Sequence, residues 1–246
     1  MAYRGVLLDL FGTLIGFDVR RLPTLEIGGR TVHTTLGAIA PLARAWVPNV
    51  PLETLFEAIG TVSMEMMRAR VDDHVELPSR ERFRRALERV GCDDDVLVEA
   101  AMQLSRAHMR EIANVTEFPP PHRALLERLR PRFRLALVSN FDDTGAAYDI
   151  LARHGILPFL DTVVVSEAVG LRKPHPALMR AGLRALGVTA EEALFVGDTF
   201  GEDVAGAHAA GIDAAWIDAA GAGVPEGARP PRYVLRALPE LGGILA

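Results

Sequence analysis

The chain has 246 residues, 49% of them hydrophobic, enough apolar mass for one large domain or two smaller ones with buried cores. A net charge of −5 and an isoelectric point near 5.8 exclude the clustered basic surface that a nucleic-acid binder needs. Its single cysteine, Cys92, excludes an intrachain disulfide framework. With no signal-peptide pattern and no apolar run of the roughly 20 residues that a membrane helix requires, the expectation is a protein of the cytoplasm, away from membranes.

In chain order, Gly5–Asp9 is a short apolar run and the first expected strand. Glu26–Thr35 lacks helical period and contains Gly28-Gly29, so it reads as a loop or short hairpin. Leu52–Met67, Ser79–Val90 and Val96–Ile112 carry apolar residues at helical spacing; Phe83, Leu87 and Val90 make one stripe. Met64, Met66, Met67, Met102 and Met109 read as core filler. The arginines at 80, 82, 84, 85 and 89 read as a solvated helix face. Cys92-Asp93-Asp94-Asp95 reads as a helix start. Phe118-Pro119-Pro120-Pro121 reads as a stiff return linker.

Beyond the prolines, strands are expected at Arg134–Ser139, Thr162–Ser166, Ala193–Gly197 and Ala214–Asp218. Helical patterns at Arg123–Leu129, Gly145–His154, Pro176–Leu186 and Asp203–Ala210 alternate with them, and Gly211 ends the last. Gly221–Gly227 reads as a surface loop. Unalternated apolar strands separated by helices predict an α/β fold, a doubly wound parallel Rossmann-like sheet, with a helical cap domain inserted after the first strand. Residues 1–15 and 119–246 form the core in this reading, and residues 16–118 the cap.

Ligands of such sheets bind beyond the carboxyl ends of the strands. Those tips carry Asp9-Leu10-Phe11-Gly12-Thr13, Ser139-Asn140, Gly170-Leu171-Arg172-Lys173-Pro174, and Gly197-Asp198-Thr199-Phe200-Gly201-Glu202-Asp203. Asp9 and Asp198 converge there and repel unless a cation separates them. Hard carboxylate oxygens suit Mg²⁺. Lys173 adds a second positive charge, able to keep Asp9 ionised and to offset a substrate anion. The Ser139 hydroxyl can donate to that anion, and a carboxylate held in this way can act as a nucleophile. His175, beside Lys173, reads as a loop residue.

These four segments, in this order, resemble the four motifs of the haloacid dehalogenase superfamily, over residues 4–15 and about 119–240. The cap after the first motif is similar to the helical cap of the branch that includes dehalogenases and phosphoglycolate phosphatases. The resemblance implies a hydrolase with Asp9 as nucleophile, Thr13 shaping the turn and orienting Asp9, and Lys173 stabilising charge. Ser139 would bind the anionic group of a small-molecule substrate, with Asn140 also facing the site. Mg²⁺ would be held by Asp9, the carbonyl of Phe11 and, directly, Asp198, with Asp203 behind these ligands or acting through water.

One position departs from the phosphatases of this superfamily, which carry a second Asp two residues after the nucleophile as general acid and base; here it is Phe11. That loss matters most for an alkoxide leaving group and little for a good one. The superfamily's haloacid dehalogenases have an aromatic residue in this slot but use no metal, and they receive halide and carboxylate with an early cap arginine; Arg20, Arg21, Arg30 and Arg44 are candidates. Three functions are compatible with this pattern: a phosphatase-type reaction on a small phosphorylated metabolite with a good leaving group, carbon–halogen hydrolysis, or a catalytically weak or silent binding member. Neither the substrate nor the oligomeric state is written in the sequence.

Overall fold

In the computed structural model, which describes residues 3–27 and 29–245, β1 (Gly5–Leu8) runs through the middle of a six-stranded sheet. The chain then makes β2 (Gly16–Phe17), β3 (Thr24–Ile27), β4 (Arg30–His33), α1 (Leu36–Trp46), α2 (Leu52–Asp72), α3 (Ser79–Arg89), α4 (Asp94–Asn114) and β5 (Thr116–Glu117). It returns through α5 (Pro120–Leu129), β6 (Arg134–Ser139), α6 (Thr144–Arg153), β7 (Thr162–Val165), α7 (Ser166–Val169), α8 (Pro176–Leu186) and β8 (Ala193–Gly197). A single π-type turn, Phe200–Val204, leads into α9 (Ala205–Ala209), and then come β9 (Asp213–Ile217), β10 (Tyr233–Leu235) and α10 (Leu241–Ile244).

The sheet order is β10-β9-β8-β1-β6-β7, and every pairing is parallel. Leu8 lies level with Leu137 of β6 and Val196 of β8. Asp9, Ser139 and Asp198 therefore emerge together at the carboxyl edge, where the chain order reverses about β1. Alternate strand residues serve opposite faces. Val6, Leu8, Leu135, Leu137, Leu194 and Val196 pack with α5, α6 and α10, whereas Leu7, Ala136, Val138, Ala193 and Phe195 pack with α8 and α9. Gly182 is where α8 crosses closest: a Cβ there would sit 2.7 Å from Val138 and 2.9 Å from Leu7.

The four inserted helices bury a core of their own around Leu55, Val62, Phe83, Leu87 and Leu104. Two antiparallel pairs, Gly16↔Glu117 and Phe17↔Thr116, tie the outgoing and returning strands at the crossing point. No described helix is long and apolar enough to cross a membrane.

The short hairpin expected within Glu26–Thr35 is present as β3–β4, over Thr24–His33, with Gly28 outside the described residues. Several other elements differ from expectation. α1 was not foreseen, because Gly37 and Pro41 interrupt its helical character. Pro120 and Pro121 open α5 rather than making a linker, since proline suits the first helical turn, whose N–H groups lack intrahelical partners. β10 adds a sixth strand. Met66 and Met109 are core filler, but Met64 and Met67 are 61% and 50% exposed. Arg82 leaves the solvated face of α3 and reaches Asp142 at 2.8 Å.

The helical insert also holds a half-buried histidine. His108 Nε2 lies 3.2 Å from an Arg82 guanidinium N–H, which must donate to it, so Nδ1–H faces the Thr35 hydroxyl at 2.7 Å. Burial first, and the Arg82 charge second, push the His108 pKa down from 6.5 to about 4. The unfolded chain therefore binds the extra proton in that interval, so this contribution to stability is complete above pH 6.5 and is lost as pH falls towards 4. Urea unfolding at successive pH values should show that decline, and His108→Gln should flatten it; an unchanged slope in the variant would assign the decline to other groups.

Candidate active site

Asp9 comes directly after β1, its N–H donating to the Val196 carbonyl at 2.9 Å, and its side chain is buried. The chain then turns sharply: Gly12 has φ +79, a left-handed conformation open to glycine, and a Cβ there would overlap the Asp198 carboxylate. This close approach brings the first and fourth motifs into contact. Thr13, also buried, donates its hydroxyl to Asp198 Oδ1 at 3.3 Å. It thus steadies Asp198, where the expectation had it orienting Asp9.

Lys173 is 1% exposed and spans two carboxylates, with Nζ 2.5 Å from Asp9 Oδ1 and 2.6 Å from Asp203 Oδ1. The ring of Phe195 lies beneath the ammonium at 5.2 Å. Asp203 is held at both oxygens, because Oδ2 accepts the Thr199 N–H at 2.8 Å. Gly197 makes room for it, since a Cβ there would overlap the Asp203 carboxylate.

Carboxylate oxygens of Asp9, Asp198 and Asp203 lie within 4.8 Å of one another. Three carboxylates thus face one ammonium. Burial pushes the Asp9 carboxyl up despite the opposing pull of Lys173, and Asp203 and Asp198 push it further. Burial and Asp203 also raise Asp198. For Lys173 burial acts downward, but Asp203 and Asp9 overcome it, so the ammonium stays charged. The surplus of negative charge and the hard-oxygen donor set could hold a small divalent cation.

Ser139 ends β6 and is 1% exposed, and its hydroxyl has no hydrogen-bond partner. A polar side chain buried without a partner is uncommon in a folded protein. Asn140 is committed elsewhere: Oδ1 accepts the Lys173 N–H at 2.7 Å, and Nδ2 donates to the Lys173 carbonyl at 3.1 Å and to Glu202 at 2.8 Å. The Phe11 side chain carries no polar group. Its ring meets Phe17 and Phe141 edge to face, with centroids 5.8 and 5.0 Å away. His175 accepts the Ala177 N–H at the start of α8, at 3.2 Å.

Three contributors went unassigned in the sequence. Trp216 Nε1–H donates to the Asp198 carbonyl at 2.8 Å, Glu202 holds Asn140, and Arg172 holds Glu202 at 3.2 Å. Arg172 and Glu202 sit inside the recognised motifs, so proximity to Lys173 and Asp203 was the available signal. Trp216 comes from β9 and had none.

The family model described as haloacid dehalogenase-like hydrolase matches residues 3–211. A phosphoserine phosphatase of Thermus thermophilus is 34% identical over 209 residues, covering 81% of this chain and 82% of that protein. A glyceraldehyde 3-phosphate phosphatase of Methanocaldococcus jannaschii is 33% identical over 97 residues, 39% of this chain and 42% of the relative. Among solved structures, a 2-haloacid dehalogenase from Pseudomonas syringae superposes with a TM-score of 0.72 at 24% identity, covering 99% of this chain and 98% of the other, a likeness of fold. The fold and the family match together establish that the chain belongs to the haloacid dehalogenase-like hydrolases.

Proposed function

We propose that the chain hydrolyses a small phosphorylated metabolite with a good leaving group, through a phosphoryl-aspartate on Asp9. The observation that carries this reading is a cluster of three carboxylates, of which Asp9 and Asp203 are buried and share the Lys173 ammonium while Asp198 is half-buried. The unpaired Ser139 hydroxyl at the neighbouring strand tip supports it as a donor for a phosphoryl oxygen. Relatives named for phosphoserine and glyceraldehyde 3-phosphate support a phosphatase-type reaction.

Asp9 Oδ1 is engaged by Lys173, so Oδ2 is the atom that attacks phosphorus. The bond from phosphorus to the leaving oxygen breaks as the Asp9–phosphorus bond forms. Water then attacks the same phosphorus, releasing inorganic phosphate and freeing Asp9. The Lys173 ammonium keeps Asp9 ionised before attack and offsets charge on the transferring group.

The donor set fits Mg²⁺. Asp9, Asp198 and the Phe11 carbonyl would hold it, with Asp203 acting through water because Lys173 and Thr199 already occupy its oxygens. When bound, the ion supplies positive charge to the carboxylates and to the phosphoryl oxygens. Residues 16–118 serve as the cap over this edge, and residues 1–15 and 119–246 as the catalytic core.

Phe11 sets the substrate class. It cannot deliver a proton, and general acid–base catalysis contributes about 10²–10⁴-fold. The favoured leaving groups are therefore those stable as anions, aryl or acyl phosphates above alkyl ones. The wild type is expected to hydrolyse a chromogenic aryl phosphate only with Mg²⁺, and Asp9→Asn to abolish turnover. Phe11→Asp should raise the rate on alkyl phosphates by about tenfold or more. Metal-independent turnover, or activity retained in Asp9→Asn, would contradict the reading.

The apolar setting of Phe11 favours a second reading, displacement of halide from carbon by Asp9, which needs no proton donor. Halide release from a panel of 2-haloacids, undiminished by a chelator, would establish it. No release across the panel is the outcome the phosphatase reading expects.

A further inference from the structure

The segment between α2 and α3 docks on the core loop that carries Lys173. The Glu76 N–H donates to the Gly170 carbonyl at 3.0 Å, and the Arg172 N–H donates to the His74 carbonyl at 2.9 Å. His74 adopts φ 54, a left-handed conformation uncommon outside glycine, to make this turn. The Glu76 side chain has no solvent exposure. Its carboxylate accepts Arg70 Nε at 2.9 Å, the Ser166 hydroxyl at 2.8 Å and an Arg172 guanidinium N–H at 3.2 Å.

The contacts continue without a break to the catalytic lysine. Arg172 donates to Glu202 Oε1 at 3.2 Å, and Glu202 Oε2 accepts Asn140 Nδ2 at 2.8 Å. The same Asn140 amide brackets the main chain of Lys173, accepting its N–H and donating to its carbonyl. A second anchor lies beside the first: Asp142, three residues past Ser139, takes Arg70 and Arg82 from the helical insert, each at 2.8 Å. The inserted helices are thus bonded to two of the four core segments that carry candidate active-site groups, those with Ser139 and Lys173.

A buried ion pair gains little net energy over the cost of desolvating its partners. Such a seam can therefore part to admit substrate, while its directional bonds fix one geometry when it closes. From this we infer that Glu76 is a positioning residue for the reaction on Asp9. Closure of the cap sets Arg172, Glu202 and Asn140, and through them the backbone that aims the Lys173 ammonium between Asp9 and Asp203. The inference rests on Asp9 as nucleophile and Lys173 as its partner. It adds that the site is complete only when residues 73–78 are seated.

Glu76→Gln in the full-length protein tests this, by steady-state kinetics on an aryl phosphate with Mg²⁺ and by amide hydrogen exchange at residues 170–175. The expected result is a fall in kcat of about 10- to 100-fold, as for a slightly misplaced catalytic group, with KM changed less than about threefold. Exchange of the Lys173 amide should quicken by about tenfold. Arg80→Ala, which removes an exposed pair with Glu167 between the inserted helices and the core, is the control and should change none of these. Unchanged kcat, or a rise in KM alone, with the Lys173 amide protected as in the wild type, would overturn the relay. Should Glu76→Gln fail to fold, Glu202→Gln is read in the same way, because its side chain is already 37% exposed. A wild type with no Asp9-dependent turnover would defeat the phosphatase reading, whereas the exchange rates would still decide the relay.

Discussion

The Lys173 ammonium lies 2.5 Å from Asp9 and 2.6 Å from Asp203, and all three side chains are shut away from bulk water. Removing Lys173 would leave both carboxylates uncompensated in a low-dielectric interior, which is strongly destabilising. Much of the nearby chain holds this contact in place. Gly12 and Gly197 remove the Cβ atoms that would push the motifs apart, Thr199 fixes the far oxygen of Asp203, and Asn140 clamps the peptide of Lys173. The sheet supplies the rest, because parallel strands in register bring four separate segments to one edge.

That edge carries more negative than positive charge. A protein gains no stability from burying carboxylates side by side, and Asp9 and Asp198 are both pushed up as a result. The arrangement makes chemical sense as a receptor for positive charge that then meets a phosphoryl group. Phe11 limits the chemistry open to such a site. With its ring packed against Phe17 and Phe141, it gives Asp9 an apolar neighbour with no proton to donate, so in the proposed reaction the burden of catalysis moves to the leaving group.

The sequence was most readable where local pattern and global position agree. Gly5–Leu8, Arg134–Ser139 and Ala193–Gly197 are apolar on both faces, so their strand character and burial come from composition alone. The convergence of Asp9 and Asp198 came from strand order, and Asp203 from the family resemblance alone. The features that escaped depended on partners distant in the chain. Arg82 looks like its neighbours on α3 until Asp142, 60 residues later, draws it inward. Glu76 stands in a loop with no periodic signal, and its burial is decided by Arg70 on one side and Arg172 on the other. α1 was hidden by Gly37 and Pro41, whose local cost is outweighed when Ile39 and Ala43 are buried in the helical core. Thr13 bonds to Asp198 and Asn140 to the Lys173 main chain, and which group each one holds is a matter of ångströms that motif spacing does not encode.

The central claim is that Asp9 is the nucleophile, and mass spectrometry of enzyme quenched in acid during turnover of an aryl phosphate with Mg²⁺ tests it most directly. The account predicts a phosphoryl adduct on the peptide that contains Asp9, absent in Asp9→Asn. Turnover with no adduct on that peptide, or with the adduct on another residue, would contradict it.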